Sequence, residues 1–302
     1  MTEISPSTEI PRLLTNEQAN AFKNSLFAEI ANESWKEQAY ANEPAVRLFL
    51  TTGIQMIQEF EEATHQKHPE IHTDTDVIYI DSGPGPYSYN MLEPEKKDLD
   101  DVTYHKWKWS RKMDRARIRS AYTIASMITT KRIEEQTGTI KSTKKLTSED
   151  FQQFGPYLMY TSTNWQNSHI KHVLEMAREA GNFKIPDSKL IMYNEFTNRQ
   201  GETKPIIHTE DQIEGLRFPN NPDGSSPRRI VIVSHPAHLM RIMHILGKYP
   251  DSIPVESVLQ AFPIPTPKDA MTEYTKAELL GTLGTILKKG RASFAPYINY
   301  EL

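Results

Sequence analysis

The feature that most constrains the fold is an alternation. Short runs of apolar, often β-branched residues each end at a polar turn and pass into a stretch with helical spacing. It is sharpest in IVIVSHPAHLMRIMHIL, residues 230–246, where Ile230 to Val233 reads as a buried strand and Pro236 opens a helix. Asp76 to Ile80, Tyr157 to Tyr160 and Leu190 to Tyr193 read the same way, and Leu259 to Ile264 supplies a fifth run. Strands this short, and apolar throughout, belong to parallel sheets covered on both faces and joined by right-handed crossovers. The expected fold is therefore α/β: a Rossmann-like doubly wound, mostly parallel sheet with an N-terminal helical extension.

Thr15 and Gln18 have the spacing of a capping box, so a helix is expected from there to about Tyr40. A second is expected from Glu43 to His65, with Val46, Leu48, Phe49, Ile54, Ile57 and Phe60 turned inward. Residues 91–109 read as charged and irregular, and helices are expected over 111–135, from Asn164 to Ala180, and over 209–216, 236–249 and 268–289. The polar stretches 138–150 and 194–208 read as connections. This divides the chain into a helical extension, 1–72, and a Rossmann-like domain, 73–302.

Composition narrows the function classes. The 302 residues carry 35 Lys plus Arg against 39 acidic residues, a net charge of −4 that gives no overall pull toward nucleic acid. Cysteine is absent, which excludes disulfides, thiolate-held metals and a cysteine nucleophile. No apolar run reaches the roughly 18 residues of a membrane span, and MTEISPSTEIPRLL lacks the basic-then-apolar order of a secretory leader. A soluble protein of the cytoplasm is expected, with no membrane partner.

In open parallel sheets, ligands bind beyond the carboxyl ends of the strands, where helix N-termini also point. The strand exits here are Asp81-Ser82-Gly83, Thr161-Ser162-Thr163-Asn164, Asn194-Glu195 and Ser234-His235-Pro236-Ala237-His238, all polar. Pro236 suits the first turn of a helix, and Ser234 is expected to cap it or to face a ligand. His238 and Arg241 stand three apart and share a helix face, where an anion would meet a guanidinium and free backbone N–H groups.

A strand followed by Ser and His-x-x-Arg on a helix resembles the YdcF-like family, which includes the SanA and ElyC proteins. VIYIDSGPGPY (77–87) is similar to that family's opening strand and glycine turn, and RIRSA (Arg117 to Ala121) to the start of its first crossover helix. The second strand with its helix (157–181) and TEDQIEGL (209–216), led by Thr209, follow in the family's order. The chain departs from it in carrying Ser162-Thr163 for Ser-Gly, and His208 for the Asn before the helical Thr. The resemblance implies a Rossmann-like fold with a cleft for a nucleotide, an adenosyl-type molecule or another phosphorylated small molecule, and no settled reaction.

On that reading Ser82, Gly83, Gly85, Arg117, Ser162, Thr163, Asn164, Glu195, Thr209 and His235 line the ligand. His238, Arg241 and Ser234 are the catalytic candidates, supplying charge and proton transfer. GPGP is not a dinucleotide fingerprint, because its prolines remove donors that a phosphate would need. An alternative is a divalent-metal hydrolase using His169, His172, His208, His235 and His238 with Glu195 and Asp81. A serine triad lacks its Gly-x-Ser-x-Gly elbow. A third alternative is a non-catalytic binding module: Tyr104 to Arg119 interleaves aromatics with cations as an RNA-binding segment would, but Asp98, Asp100 and Asp101 flank it and Asp114 interrupts it.

Overall fold

The structure is a computed structural model that describes residues 16–65, 70–83, 101–198, 200–267, 271–288 and 297–302, with Asn16, 101–111, Trp165, Met271 and Glu273 by backbone alone. Three helices come first: α1 (Asn16–Glu29), α2 (Lys36–Ala41) and α3 (Glu43–Ala63). Then follow β1 (Thr75–Asp81), α4 (Asp101–Thr137), α5 (Ser148–Phe154), β2 (Tyr157–Thr161), α6 (Asn164–Glu179) and β3 (Leu190–Tyr193). A small hairpin, β4 (Glu195–Thr197) and β5 (Thr203–Pro205), precedes α7 (Thr209–Glu214), β6 (Arg229–Ser234), α8 (Pro236–Lys248), β7 (Val258–Pro263) and α9 (Met271–Lys288).

The main sheet has the order β3-β2-β1-β6-β7, and every neighbouring pair in it is parallel. Two-residue alternation divides its side chains between two cores. Val77, Tyr79, Met159, Ile230 and Ile232 face α3, α8 and α9, while Ile78, Ile80, Leu158, Tyr160, Val231 and Val233 face α4, α5 and α6. The chain builds outward from β1 to β3, then returns to the other side of β1 to lay down β6 and β7. Helices on both faces make this the doubly wound α/β fold that the short apolar strands predict.

The N-terminal helices complete one of these cores. Phe49, Leu50, Ile57 and Phe60 of α3 belong to the same buried cluster as Met240 and Met243 of α8 and Leu279 and Leu283 of α9. Leu48, expected to face inward, is 67% exposed, because it sits one residue off the stripe formed by Val46, Phe49 and Leu50.

Other boundaries differ for physical reasons. Helix α4 begins at Asp101, well before the expected Arg111, since its charged first turns are helical without an apolar stripe to reveal them. Helix α5 lies inside a stretch read as a connection; a capping box between Thr147 and Asp150 starts it, and only Phe151 is buried. The hairpin falls in a stretch expected to be a connection, because both of its strands are mostly exposed and show no alternation.

At the outer edge of β7 the C-terminal segment adds a short parallel pairing. Glu301 N–H donates to Leu259 O at 2.9 Å, and Ala261 N–H donates to Glu301 O at 2.8 Å. The Glu301 carboxylate also pairs with Arg229, which reaches Asp74 at 2.9 Å.

Candidate functional site

Strand order fixes where a site can be. Between β1 and β6 the direction of chain travel across the sheet reverses, and at such a switch point crossovers leave on opposite faces. The residues that leave these two strands, Asp81-Ser82-Gly83 and Ser234-His235, stand next to each other there. Register pairs Tyr79 with Ile232 and Val233 with Phe262, so the ends of the three strands lie in one row.

Arg117 ties the two exits together. It lies on α4, which runs along β1 and reaches β6. Its Nε donates to Ser234 Oγ at 2.9 Å, Nη1 to Asp114 Oδ1 at 2.6 Å and Nη2 to Tyr274 Oη at 2.9 Å. The guanidinium is fully buried. Asp114 Oδ1 also accepts the Gly83 N–H at 3.2 Å, and Asp114 Oδ2 accepts from Tyr160 Oη at 3.3 Å and Gln166 Nε2 at 3.2 Å. Burial raises the Asp114 pKa, and the guanidinium and the donors around it act against that rise. A Cβ on Gly83 would come within 2.6 Å of both Arg117 Nη atoms, so this glycine is required for space.

His238 forms the second half of the cluster. Its Nε2 is 3.0 Å from Asp81 Oδ2 and its Nδ1 is 3.0 Å from Glu278 Oε1. Burial pulls its pKa down, but the Glu278 and Asp81 carboxylates more than reverse this and leave it above the ordinary value. A carboxylate facing each ring nitrogen favours the protonated ring. Arg241 Nη1 donates to Glu278 Oε2 at 3.3 Å. Burial raises the Glu278 pKa, and His238, Arg241 and Arg117 outweigh it, holding the carboxyl at about 2.

The remaining expected residues fall into three groups. Ser82, Ser162 and Thr163 join the cluster's border: Ser82 Oγ donates to Gln166 Oε1 at 3.3 Å, and Thr163 caps α6 and donates to the same oxygen at 2.9 Å. Ser162 is fully buried, and its hydroxyl donates to Thr163 O. Thr209 is buried at the start of α7, whose Gln212 accepts from Thr161 Oγ1 at 2.7 Å. His235, and not Ser234, is the N-cap of α8. Its Nδ1 faces Pro265 O at 3.1 Å, and burial together with Arg117 pushes its pKa well below the ordinary value. Asn164 is exposed and bonded to Asn194 at 3.0 Å, and Glu195 is exposed on the hairpin, so neither joins the cluster. Gly85 lies outside the described residues.

Two expectations change. The catalytic and ligand residues are not arrayed around open space. Asp81, Arg117, Ser234, His235, His238 and Glu278 are all fully buried and are largely spent on one another. A polar cavity of about 270 Å³ lies instead at the opposite edge, lined by Asp74, Arg132, Glu135, Gln153, Phe154 and Arg228. There Arg132 is committed to the carbonyls of Thr73, Thr75 and Phe154. The histidines weighed for a metal centre do not converge: His172 and His208 are exposed, and among the described residues no group of three His, Cys, Asp or Glu could hold an ion. In the basic stretch, Arg117 is buried against Asp114 and cannot face RNA.

Sequence reasoning missed Asp114, Gln166, Gln212, Tyr274 and Glu278. The available signal was spacing: Asp114 and Arg117 are three apart beside buried Met113 and Ile118, and Tyr274 and Glu278 are four apart on the apolar face of α9.

Fold and site together define the class: a Rossmann-like parallel-sheet protein with a buried ionic cluster at its switch point. No family model matches the sequence, and no curated protein or solved structure matches it either. Among the described residues, no helix is long and apolar enough to cross a membrane.

Proposed function

We propose that the chain is a soluble, cytoplasmic protein that binds a phosphorylated small molecule, a nucleotide or an adenosyl-type ligand, at the carboxyl edge of its sheet between β1 and β6. One observation carries the reading: Arg117, His238 and Arg241 are gathered at the switch point, where this fold class takes its ligands. Arg117 and Arg241 supply charge for an anionic group, and Ser234 orients Arg117. Where the ligand is turned over, the His238 imidazolium is the proton donor. The likeness to the YdcF-like family supports the same ligand class, and membership of that family is part of the proposal.

The test is a thermal-shift panel of ATP, AMP, NAD, S-adenosylmethionine and pyrophosphate on the full chain. A ligand at 100 times its dissociation constant stabilises the fold by about 2.7 kcal/mol. Arg241, at the rim of the cluster, is the residue to vary: Arg241→Ala should lose at least tenfold in affinity. Absence of any shift, or equal shifts in both proteins, overturns the reading. A shift produced by RNA alone would place the protein in another class.

A further inference from the structure

We infer that Glu278 of α9 sits where the anionic group of the ligand belongs, so that a phosphoryl group enters by displacing this carboxylate from His238 and Arg241. The inference rests on the function proposed above and adds to it the group that is replaced and the element that moves.

Charge balance leads to it. The cluster holds the cations Arg117, His238 and Arg241 and the carboxylates Asp81, Asp114 and Glu278. With α9 in place the sum is zero, so an incoming anion meets no uncompensated charge. Removing Glu278 leaves one net positive charge facing the strand ends, in a buried setting where it is weakly screened.

Of the three carboxylates, Glu278 is the separable one. Asp81 ends a central strand, and Asp114 is held by Arg117, the Gly83 N–H, Tyr160 and Gln166. Glu278 comes from the last helix, whose main neighbours are α8 and α3. The same helix carries Tyr274, whose hydroxyl oxygen accepts from Arg117. One element thus presents two carboxylate oxygens and a phenol oxygen to His238, Arg241 and Arg117. Three oxygen acceptors set against these cations are the group that a terminal phosphoryl would offer. Because its carboxyl is held at about 2, Glu278 leaves as an anion and needs water or another cation when it does.

Glu278→Gln keeps the shape and removes the charge. Calorimetry with pyrophosphate and with ATP compares it with the unmodified chain. The variant should melt lower without ligand, because His238 and Arg241 lose their counter-ion, yet bind pyrophosphate at least tenfold tighter. A carboxylate with only a structural role gives the lower melting point and no gain in affinity, and that result overturns the inference. Hydrogen exchange on the unmodified chain is the second measurement, and it decides the matter if the variant does not fold. Saturating pyrophosphate should speed exchange over 271–288 and slow it over 229–248; unchanged or slower exchange in α9 overturns the inference. Binding by the unmodified chain without gain in the variant refutes the displacement alone. Binding by neither refutes the site itself.

Discussion

Arg117 Nε donates to Ser234 Oγ at 2.9 Å, joining a helix that follows the first strand to the end of the fourth strand laid down in the main sheet. That bond holds the two sides of the switch point at a fixed distance. Removing the guanidinium should leave the Asp114 carboxylate buried without its cation, so Arg117→Met is expected to cost about 3–5 kcal/mol of stability. Ser234→Ala strands a single donor and should cost about 1–3 kcal/mol. Urea unfolding of both variants checks the ranking, and equal losses would contradict it.

Gly83 is confined by that same guanidinium. The methyl of Gly83→Ala would press on both Arg117 Nη atoms at 2.6 Å, and overpacking of this kind costs about 1–3 kcal/mol. The two positions should therefore be non-additive: in the Arg117→Met background the alanine should cost almost nothing. A double-mutant cycle measures the difference, and additive losses would show that the contact is relieved some other way.

Two buried groups away from the cluster set opposing pH dependences. Burial, with Lys248 adding to it, lowers the His244 pKa from 6.5 to about 4, where the ring lies between Phe49 and Tyr297. The unfolded chain therefore takes up the proton first, and stability is lost as pH falls from 6.5 toward 4. Burial raises the Glu61 pKa from 4.5 to about 7, against the opposing bond from Thr266. The folded state here holds the proton longer, so stability is greatest below 4.5 and is lost as pH rises toward 7. Each effect amounts to about 3 kcal/mol over its window, so they largely offset each other. His244→Phe should expose a stability that falls with rising pH, and Glu61→Gln one that falls with falling pH. Melts from pH 4 to 8 distinguish them.

What was legible in the sequence follows from how locally each feature is determined. The central strands β1, β2 and β6 are buried on both faces or nearly so, and a run such as Ile230 to Val233 announces that directly. The shared face of His238 and Arg241 is a matter of helix spacing, and both do meet one carboxylate. That carboxylate was not legible. Glu278 lies forty residues beyond His238, and one of two Glu in the polar first half of a helix looks solvated until the helix is docked. In the sequence Asp114 interrupts a basic run, whereas the fold uses it as the counter-charge of Arg117. Openness was misjudged for a related reason: polar residues at strand ends can solvate one another as readily as a ligand, and sequence alone does not say which.

The C-terminal pairing on β7 has a consequence for how the molecule behaves in a crowd. An outermost strand with idle amides invites a neighbour's backbone to continue the ladder, the route by which sheets polymerise. Glu301 occupies that row beside Leu259 and Ala261, and its carboxylate is anchored on Arg229. That bridge takes up the Leu259 carbonyl and the Ala261 amide, two of the groups a second molecule would need to extend the ladder along β7.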